Sequence, residues 1–280
     1  MTPTCFNVTI DNQIAHIQLK RPDAMNTMNR AFWNELPEIV RDIDANARAR
    51  VIVISSTGRH FSAGMELSVF TDGAGVTMQG GADPWTRNEA FRRHVHHLQS
   101  TFTCLDQARM PVLVACQGGV IGGAVDLISA CDIRYCSADA FFCIQEINIA
   151  MTADVGTFPR LTKLIPEGWV RELAYTGRRL PAEKAREIGL VNEVLPDHES
   201  LLAHVMETAR EIAAKAPLAV AGSKVMINYA RDHSIADALD YIAVWQTGMF
   251  APPHMAEAFR AKQAKDEPRY PDLTPLKLSM

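Results

Sequence analysis

Three carboxylates lie in one largely apolar stretch of the sequence, residues 112–154, and they are the side chains best suited to chemistry. Asp126 falls early in an apolar, helix-like run, Glu146 follows a second apolar run, and Asp154 lies just before a glycine. An ionised carboxylate in apolar surroundings is costly unless it is paired or used. Burial and neighbouring negative charge both raise a carboxyl pKa, so one acid of such a set can hold a proton while another stays a base. The stretch therefore indicates a proton-transfer centre.

Backbone donors near these acids indicate what the proton transfer would serve. Gly122 and Gly123 stand where the apolar helix begins. At a helix start, unbonded N–H groups point outward and the positive end of the helix dipole lies behind them. The Gly64-Met65 loop offers a further N–H group. Two converging donors would hold a developing oxyanion, as in enolate chemistry at a carbonyl.

Each of these residues also has a purely structural interpretation. A glycine pair before a helix often serves only close packing. Asp126 would then cap a helix or pair with Arg134, and Glu146 would be an exposed charge at a strand end. Asp154 would be a turn residue. The combination of three acids with candidate oxyanion donors favours the catalytic hypothesis.

Other reactive side chains form weaker candidates for a site. His94 and His97 share a helical face, with His96 beside them, but no cysteine or well-spaced acid accompanies them. This indicates a solvated face rather than a metal site. Cys116 and Cys143 lack an evident base and are interpreted as core residues. The sequence contains no GxSxG elbow, no P-loop and no dinucleotide fingerprint.

The elements that would position the acids follow a strand–helix–strand order, which is typical of an α/β fold. Residues 8–19 predict a hairpin, and residues 28–47 predict an amphipathic helix capped by Asn26 or Thr27. Wholly apolar runs at 51–54 and 112–116 predict strands buried on both faces. The glycine-bracketed loop at 58–67 follows the first of these strands at its carboxyl end, where ligands bind in open α/β sheets.

The remaining segments predict a loop, several helices and one last strand. Residues 68–84 are rich in glycine and predict a flexible surface loop that closes over a ligand. Residues 86–108 predict a helix, and residues 190–195 predict the last strand. Helices are predicted over residues 199–215, 218–229, 235–250 and 255–265. We therefore expect an α/β core over residues 1–195 and a helical region over residues 196–280.

Composition narrows the class of protein. The 280 residues, 48% of them hydrophobic, suffice for one large core or a core with a smaller appendage. A formal charge of −4 without a Lys/Arg block argues against nucleic acid or a membrane as a partner. The sequence has no signal-like start and no apolar run of transmembrane length, and its six cysteines form no CxxC pair. A cytoplasmic location with reduced cysteines is expected.

Several segments resemble the crotonase, or enoyl-CoA hydratase/isomerase, superfamily over nearly the whole chain. The resemblance is carried by GRHFSAGMEL (58–67), GGVIGGAVDLISACDIRYC (118–136), AFFCIQEINIAMTADVGTFPRL (140–161) and SKVMINYARDHSIADALDYIAVWQ (223–246). Among its members the chain is most similar to the delta(3,5)-delta(2,4)-dienoyl-CoA isomerases. The resemblance implies an α/β fold with a crotonase-like spiral of ββα units and a helical C-terminal trimerisation part.

The resemblance also implies roles for individual residues. The family binds the acyl-CoA thioester oxygen with two backbone N–H groups, which fall here on Met65 and Gly123. The dienoyl isomerases carry three acids, whereas ordinary hydratases resemble this pattern only at the first two positions. The catalytic acids implied are Asp126, Glu146 and Asp154, and the substrate-binding residues implied are Ala63, Gly64, Met65, Glu66, Leu67 and Gly123. The third acid, Asp154, is therefore the discriminating residue.

The sequence departs from the family pattern at a few points. Glu66 stands where the family commonly has Asp, and Asn148 stands where some relatives have an acid. The C-terminus lacks the peroxisomal tripeptide that some eukaryotic members carry, which favours a bacterial-type cytoplasmic enzyme. The late helices carry apolar residues on more than one side, namely Tyr241, Ile242, Val244, Trp245, Met249 and Phe250. With the resemblance, this implies a homotrimer or a hexamer made of two trimers.

The activity implied is isomerisation of 3,5-dienoyl-CoA to 2,4-dienoyl-CoA in the beta-oxidation of unsaturated fatty acids. Glu146 and Asp154 would divide proton removal at C2 and delivery at C6, while Asp126 would tune or orient Glu146. Which of the pair acts at C2 stays open, with Asp154 favoured. No metal or redox cofactor is expected, and coenzyme A enters as part of the substrate. The alternatives are an enoyl-CoA hydratase, which would not need Asp154, and a non-catalytic acyl-CoA binding protein.

Overall fold

Strands and helices are interspersed as far as residue 195, and helices alone follow, in the part of the chain that this computed structural model describes, residues 3–66, 68–71 and 83–276. The strands are β1 (Phe6–Asp11), β2 (Ile14–Leu19), β3 (Val51–Ser56), β4 (Val112–Cys116), β5 (Gly119–Ile121), β6 (Ile133–Ser137), β7 (Phe141–Cys143), β8 (Leu180–Pro181) and β9 (Glu193–Leu195). The helices are α1 (Arg30–Ala45), α2 (Ser68–Thr71), α3 (Pro84–Gln107), α4 (Gly123–Ser129), α5 (Thr157–Leu164), α6 (Glu167–Thr176), α7 (Ala182–Glu187), α8 (His198–Ala213), α9 (Pro217–Asp232), α10 (Ile235–Met249) and α11 (Pro252–Ala264). Short 3-10 helices span Pro22–Ala24 and Glu146–Ile149.

A six-stranded sheet with the order β1-β2-β3-β4-β6-β9 forms the main layer. β1 and β2 are antiparallel, and every later neighbour in the sheet pairs in parallel. Both β3 and β4 are buried at every residue, as their apolar runs predict. Because β3 and β4 are parallel neighbours, the segments that follow them leave the sheet at the same edge. These segments carry the loop at 58–66 and the start of α4.

A small second sheet with the order β5-β7-β8 brings two further segments together. β5 and β7 are parallel, with Ile121 opposite Cys143. The N–H of Gly122 then donates to the carbonyl of Cys143 at 2.9 Å. The residues that follow the two strands are therefore neighbours, which sets Glu146 beside the start of α4.

The hairpin of β1 and β2 is confirmed, whereas the predicted cap of the first long helix is wrong. Asn29 caps α1 by accepting a backbone N–H of the first turn at 3.0 Å. Asn26 is buried and donates to the carbonyls of Thr57 at 2.7 Å and His60 at 3.1 Å. The side chain predicted to cap a helix, with Thr27 as its alternative, instead fixes the loop after β3.

The C-terminal helices differ in how firmly they join the sheet. α8 shares a core with strands of the main sheet through Leu201, Val205, Ala209 and Ala213. α9 is anchored by the buried Lys224, whose ammonium donates to Asp132 at 2.7 Å and to two backbone carbonyls. In α10 the buried residue is Ala238. The division into a core over 1–195 and a helical region over 196–280 stays a prediction.

Several other predictions meet the structure in part. Residues 68–71 form α2 and α3 begins at Pro84, while residues 72–82 of the predicted loop lie outside the described residues. All six cysteines are free and buried, as predicted for core residues. Within the described ranges, no helix combines the length and apolarity needed to cross a membrane.

Candidate active site

The backbone N–H groups of Met65 and Gly123 are the candidate oxyanion donors. Met28 forms a parallel bridge opposite Met65, in which Met28 donates to the Gly64 carbonyl at 2.8 Å and accepts from the Glu66 N–H at 3.1 Å. Because this bridge uses the groups on either side of Met65, the N–H of Met65 itself faces away from Met28. Gly123 is the first residue of α4, so its N–H has no partner within the helix. No hydrogen bond among the described residues uses either N–H.

Gly64 allows the two segments to approach closely. Its φ is +81°, and a Cβ there would stand 2.5 Å from the carbonyl oxygen of Ile121 and 3.2 Å from the nitrogen of Gly123. A Cβ at Gly123 would lie 3.9 Å from the nitrogen of Met65. The two candidate donors therefore border one small space, which is the arrangement that binding of a single oxyanion requires.

Asp126 is a fully buried acid on α4. Its Oδ1 accepts the N–H of Thr157 at 2.6 Å, while its Oδ2 is buried without a partner among the described residues. Burial raises the pKa of Asp126 to about 6, and the bonds to Thr157 oppose that rise. Arg134 donates instead to the carbonyls of Leu190 and Cys131. The structural interpretation of Asp126 as the partner of Arg134 is therefore wrong.

Glu146 begins the 3-10 helix after β7 and faces the start of α4. Its Oε1 lies 3.2 Å from the position that a Cβ would take at Gly122. Its Oε2 is buried without a partner in the described part of the chain. Burial, and after it the charge of Asp126, raises the pKa of Glu146 to about 7. Glu146 is thus a half-buried acid at the helix start and not an exposed charge at a strand end.

Asp154 lies on the loop between the 3-10 helix and α5. The residue is exposed as a whole, yet desolvation of its carboxyl raises its pKa, and the nearby His94 opposes that rise. The charge of Asp154 in turn raises the pKa values of Asp126 and Glu146. Its backbone carbonyl accepts from the side chain of Gln99 on α3 at 2.7 Å. The structure thus brings the three carboxylates into one electrostatic environment.

The loop at 63–66 is held by contacts with residues 21–27. The N–H of Ala63 donates to a backbone carbonyl at 3.0 Å. The carboxylate of Glu66 pairs with Arg21 at 2.9 Å, and this bond contributes most to lowering its pKa. Glu66 therefore fixes the loop that presents Met65, and its contact with a substrate stays a prediction. Leu67 lies outside the described residues.

The histidines of α3 lie closer to the acids than the sequence indicated. His96 and His97 are exposed, as predicted for a solvated face, whereas His94 is half-buried and opposes the desolvation that raises the pKa of Asp154. Gln99, whose side chain donates to the Asp154 carbonyl, lies on the same helix, and the sequence patterns did not identify it as a site residue. Among the residues that the structure describes, no group of His, Cys, Asp and Glu is arranged to hold a metal ion.

The chain is similar to known proteins in both sequence and fold. The family model for enoyl-CoA hydratase/isomerase matches residues 9–263. The chain is 40% identical over 256 residues to the mitochondrial delta(3,5)-delta(2,4)-dienoyl-CoA isomerase of Rattus norvegicus, covering 91% of this chain and 77% of the relative. It is 36% identical over 263 residues to the peroxisomal isomerase of that name from Arabidopsis thaliana, covering 94% of each. The crystal structure of an enoyl-CoA hydratase from Bacillus anthracis matches with a TM-score of 0.84 at 29% identity, over 95% of this chain and 99% of that chain.

These similarities confirm the expected fold and correct the expected location. The match to a solved hydratase over nearly the whole chain confirms an α/β crotonase-type fold with a helical C-terminal part. The cytoplasmic prediction is contradicted, because the two isomerases are named mitochondrial and peroxisomal. That prediction rested on the absence of recognised address signals, and such an absence does not identify a compartment.

Proposed function

The chain belongs to the enoyl-CoA hydratase/isomerase family, and we propose that it isomerises 3,5-dienoyl-CoA thioesters to 2,4-dienoyl-CoA thioesters. The observation that carries the proposal is Asp154, a third carboxylate whose charge acts on both Asp126 and Glu146. Relatives that are 36% and 40% identical over most of the chain are named delta(3,5)-delta(2,4)-dienoyl-CoA isomerases. The reaction would belong to the beta-oxidation of unsaturated fatty acids.

The chemistry starts at C2, next to the thioester carbonyl. Loss of a C2 proton moves negative charge to the thioester oxygen, which the N–H groups of Met65 and Gly123 would bind. In a 3,5-dienoyl chain this charge is conjugated through to C6, so a proton added at C6 yields the 2,4-diene. One proton leaves and one returns, which requires acids and bases but neither a metal nor a redox cofactor. Coenzyme A enters as part of the substrate.

Glu146 and Asp154 are suited to different halves of this proton exchange. With a pKa of about 7, Glu146 holds a proton near neutral pH and is suited to deliver it at C6. Asp154 is the more exposed of the two and lies near His94, so it is the better candidate for the ionised base at C2. Asp126 would tune the acid, since its charge raises the pKa of Glu146.

An ultraviolet assay of the purified protein tests the proposal. The 2,4-diene is conjugated with the thioester carbonyl and the 3,5-diene is not, so isomerisation adds the absorbance of the conjugated product. The proposal expects this gain with 3,5-dienoyl-CoA. Hydration of 2-enoyl-CoA without any dienoyl isomerisation would overturn it.

An enoyl-CoA hydratase is the second candidate function. It is favoured by the free oxygens of Asp126 and Glu146, which are both buried without partners among the described residues. A hydratase needs two carboxylates that share a water molecule, and the charge of Asp126 acts on Glu146 and raises its pKa. That reaction gives Asp154 no role, whereas the isomerase uses it.

Replacing Gly123 by Pro is expected to lower kcat about a hundredfold to a thousandfold, the usual effect of losing one oxyanion donor. Proline is tolerated at the first position of a helix, so α4 should persist without this N–H. Gly123→Ala is the matched control, because it keeps the N–H and its Cβ would meet the flexible Met28 thioether at 3.1 Å. A proline variant as active as the alanine variant would remove Gly123 from the oxyanion site.

Turnover is expected to fall as the pH rises above about 7, because Glu146 then loses the proton that it must deliver. Above the pKa, the protonated fraction of an acid falls about tenfold for each pH unit, and kcat should follow it. The measurement is kcat at saturating 3,5-dienoyl-CoA between about pH 6 and about pH 9. A rate that stays constant to the alkaline end would exclude Glu146 as the acid in the rate-limiting step.

We further propose a homotrimer, or a hexamer of two trimers, assembled through the C-terminal helices. α10 and α11 expose large apolar side chains, namely Ile235, Leu239, Ile242, Val244, Met249, Met255 and Phe259. An apolar groove of about 590 Å³ runs between α9, α10 and α11. Exposed apolar surface of this extent is typical of an interface between subunits. Light scattering should give a mass of three or six chains, and a stable monomer at micromolar concentration would refute the assembly.

A further inference from the structure

A single β-bridge joins the two segments that carry the candidate oxyanion donors. Ser62 pairs in parallel with Val120. The N–H of Ser62 donates to the Gly119 carbonyl at 3.2 Å, and the N–H of Ile121 donates to the Ser62 carbonyl at 3.1 Å. The donor residues 65 and 123 each follow their bridge residue by three positions. The spacing between the two donors therefore depends on the register of this bridge.

A side chain supplies the next bond of this short ladder. In a regular parallel ladder, the N–H of Gly119 would donate to the carbonyl of His60. That carbonyl instead accepts from the side chains of Asn26 at 3.1 Å and Ser56 at 3.3 Å. The N–H of Gly119 donates to Nδ1 of the His60 imidazole at 2.9 Å. The imidazole thus takes the place of its own backbone carbonyl.

The His60 ring is closely confined in this position. Its edge packs against the ring of Phe141 on β7, with centroids 6.5 Å apart and an interplanar angle of 75°. Gly118 has a φ of +55°, and a Cβ there would stand 2.8 Å from Nδ1 of His60. Accepting a hydrogen bond at Nδ1 places the proton of the neutral ring on Nε2. The ring therefore offers Gly119 a fixed acceptor.

We propose that His60 is a positioning residue for the oxyanion site, acting through Gly119 on the distance between the Met65 and Gly123 donors. The inference rests on the proposed function, because it assumes that these two N–H groups bind a thioester oxygen. Without an acceptor at residue 60, the Gly119 N–H is left unpaired and the bridge loses its nearest bond on that side. The bond from the Phe61 N–H to the Gln117 carbonyl, at 2.8 Å, remains, so the two segments stay paired while the donors shift. Small displacements of oriented groups have large effects on rate, so misaligned donors should slow turnover.

The test compares His60→Leu, which removes the acceptor, with His60→Asn, whose amide oxygen can occupy the place of Nδ1. Removing a whole oxyanion donor lowers kcat about a hundredfold to a thousandfold. The leucine variant keeps both donors and only alters the distance between them. Its kcat should therefore fall by a smaller factor, about tenfold, with KM little changed. The second readout is the absorption band of bound 2,4-dienoyl-CoA, which moves to longer wavelength when donors polarise the carbonyl. This displacement should shrink in the leucine variant and return, with kcat, in the asparagine variant.

Two results would overturn the proposal. One is a leucine variant with the rate and the spectrum of the unchanged protein. The other is a folded asparagine variant as impaired as the leucine variant, since the acceptor would then be irrelevant. If the leucine variant does not fold, His60→Gln is used in its place. The glutamine amide oxygen lies one bond farther from the backbone than Nδ1 of His60, so it should not accept from Gly119. The glutamine variant is then compared with the asparagine variant by kcat and by the spectrum. The spectrum of bound 2,4-dienoyl-CoA needs no turnover, so it tests His60 even if isomerisation, and with it the proposed function, fails in the unchanged protein.

Discussion

The Asp154→Asn variant is expected to isomerise 3,5-dienoyl-CoA about a hundredfold to ten-thousandfold more slowly than the unchanged protein, the usual effect of losing an acid–base group. Asparagine keeps the shape of the side chain and its capacity for hydrogen bonds, but it cannot take up the C2 proton. The backbone carbonyl of residue 154 would still accept from Gln99, so the loop keeps its anchor. KM should change little, because the oxyanion donors remain.

The matched control for this variant is Asp232→Asn. A cleft of about 370 Å³ is lined by both Asp154 and Asp232. Asp232 is exposed, and its ion pairs among the described residues are long, at 3.9 Å with Lys163 and 3.6 Å with Arg231. Its replacement should leave isomerisation unchanged. Dienoyl isomerisation and enoyl hydration are measured side by side in both variants. If Asp154→Asn isomerises at the normal rate, the third carboxylate is a structural turn and the isomerase assignment fails.

Glu146→Gln is expected to reduce isomerisation by a similar factor, because glutamine cannot deliver a proton at C6. Any residual hydration should be lost as well, since Glu146 is the acid that both reactions would use. Asp126→Asn is expected to be milder, because Asp126 acts through the pKa of Glu146. Equal isomerisation rates in Glu146→Gln and the unchanged protein would exclude Glu146 as the acid.

The same Glu146→Gln substitution is expected to stabilise the fold at alkaline pH. Burial raises the pKa of Glu146 from 4.5 to about 7 in the folded protein. As the pH rises, the unfolded chain therefore releases the Glu146 proton before the folded protein does. Between these two values the folded state loses stability, and glutamine, which carries no charge, does not share the loss. The melting temperature of the variant should therefore exceed that of the unchanged protein more at about pH 8 than at about pH 5. The opposite trend would place the carboxylate in a solvated or paired environment.

Local patterns were sufficient to predict much of the fold and the acids of the site. The apolar runs of β3 and β4 reflect burial on both faces, which any sequence window of that length reveals. The Gly122-Gly123 pair marks the start of α4, and Asp126 follows within its first turn. The helix cap was harder to predict, because Asn26, Thr27 and Asn29 all have side chains that can cap a helix. In the folded chain Asn29 immediately precedes α1 and caps it.

The residues that sequence reasoning missed act across long separations in the chain. Thr157 bonds Asp126 from 31 residues away, Gln99 holds the Asp154 loop from 55 residues away, and His60 lies 59 residues before its partner in β5. Such contacts depend on the tertiary arrangement of strands and helices. No local periodicity or spacing encodes them.

Deuterium labelling tests most directly whether two carboxylates divide the removal and the return of the proton. The unchanged protein is incubated with 3,5-dienoyl-CoA in D₂O, and the position of deuterium in the product is read by NMR. Carboxyl protons exchange with solvent, so an acid at C6 that is separate from the base at C2 should deliver deuterium. We predict 2,4-dienoyl-CoA with one deuterium at C6. A product that carries the substrate's own C2 hydrogen at C6 would contradict it, because a single base would then have moved the proton from one carbon to the other.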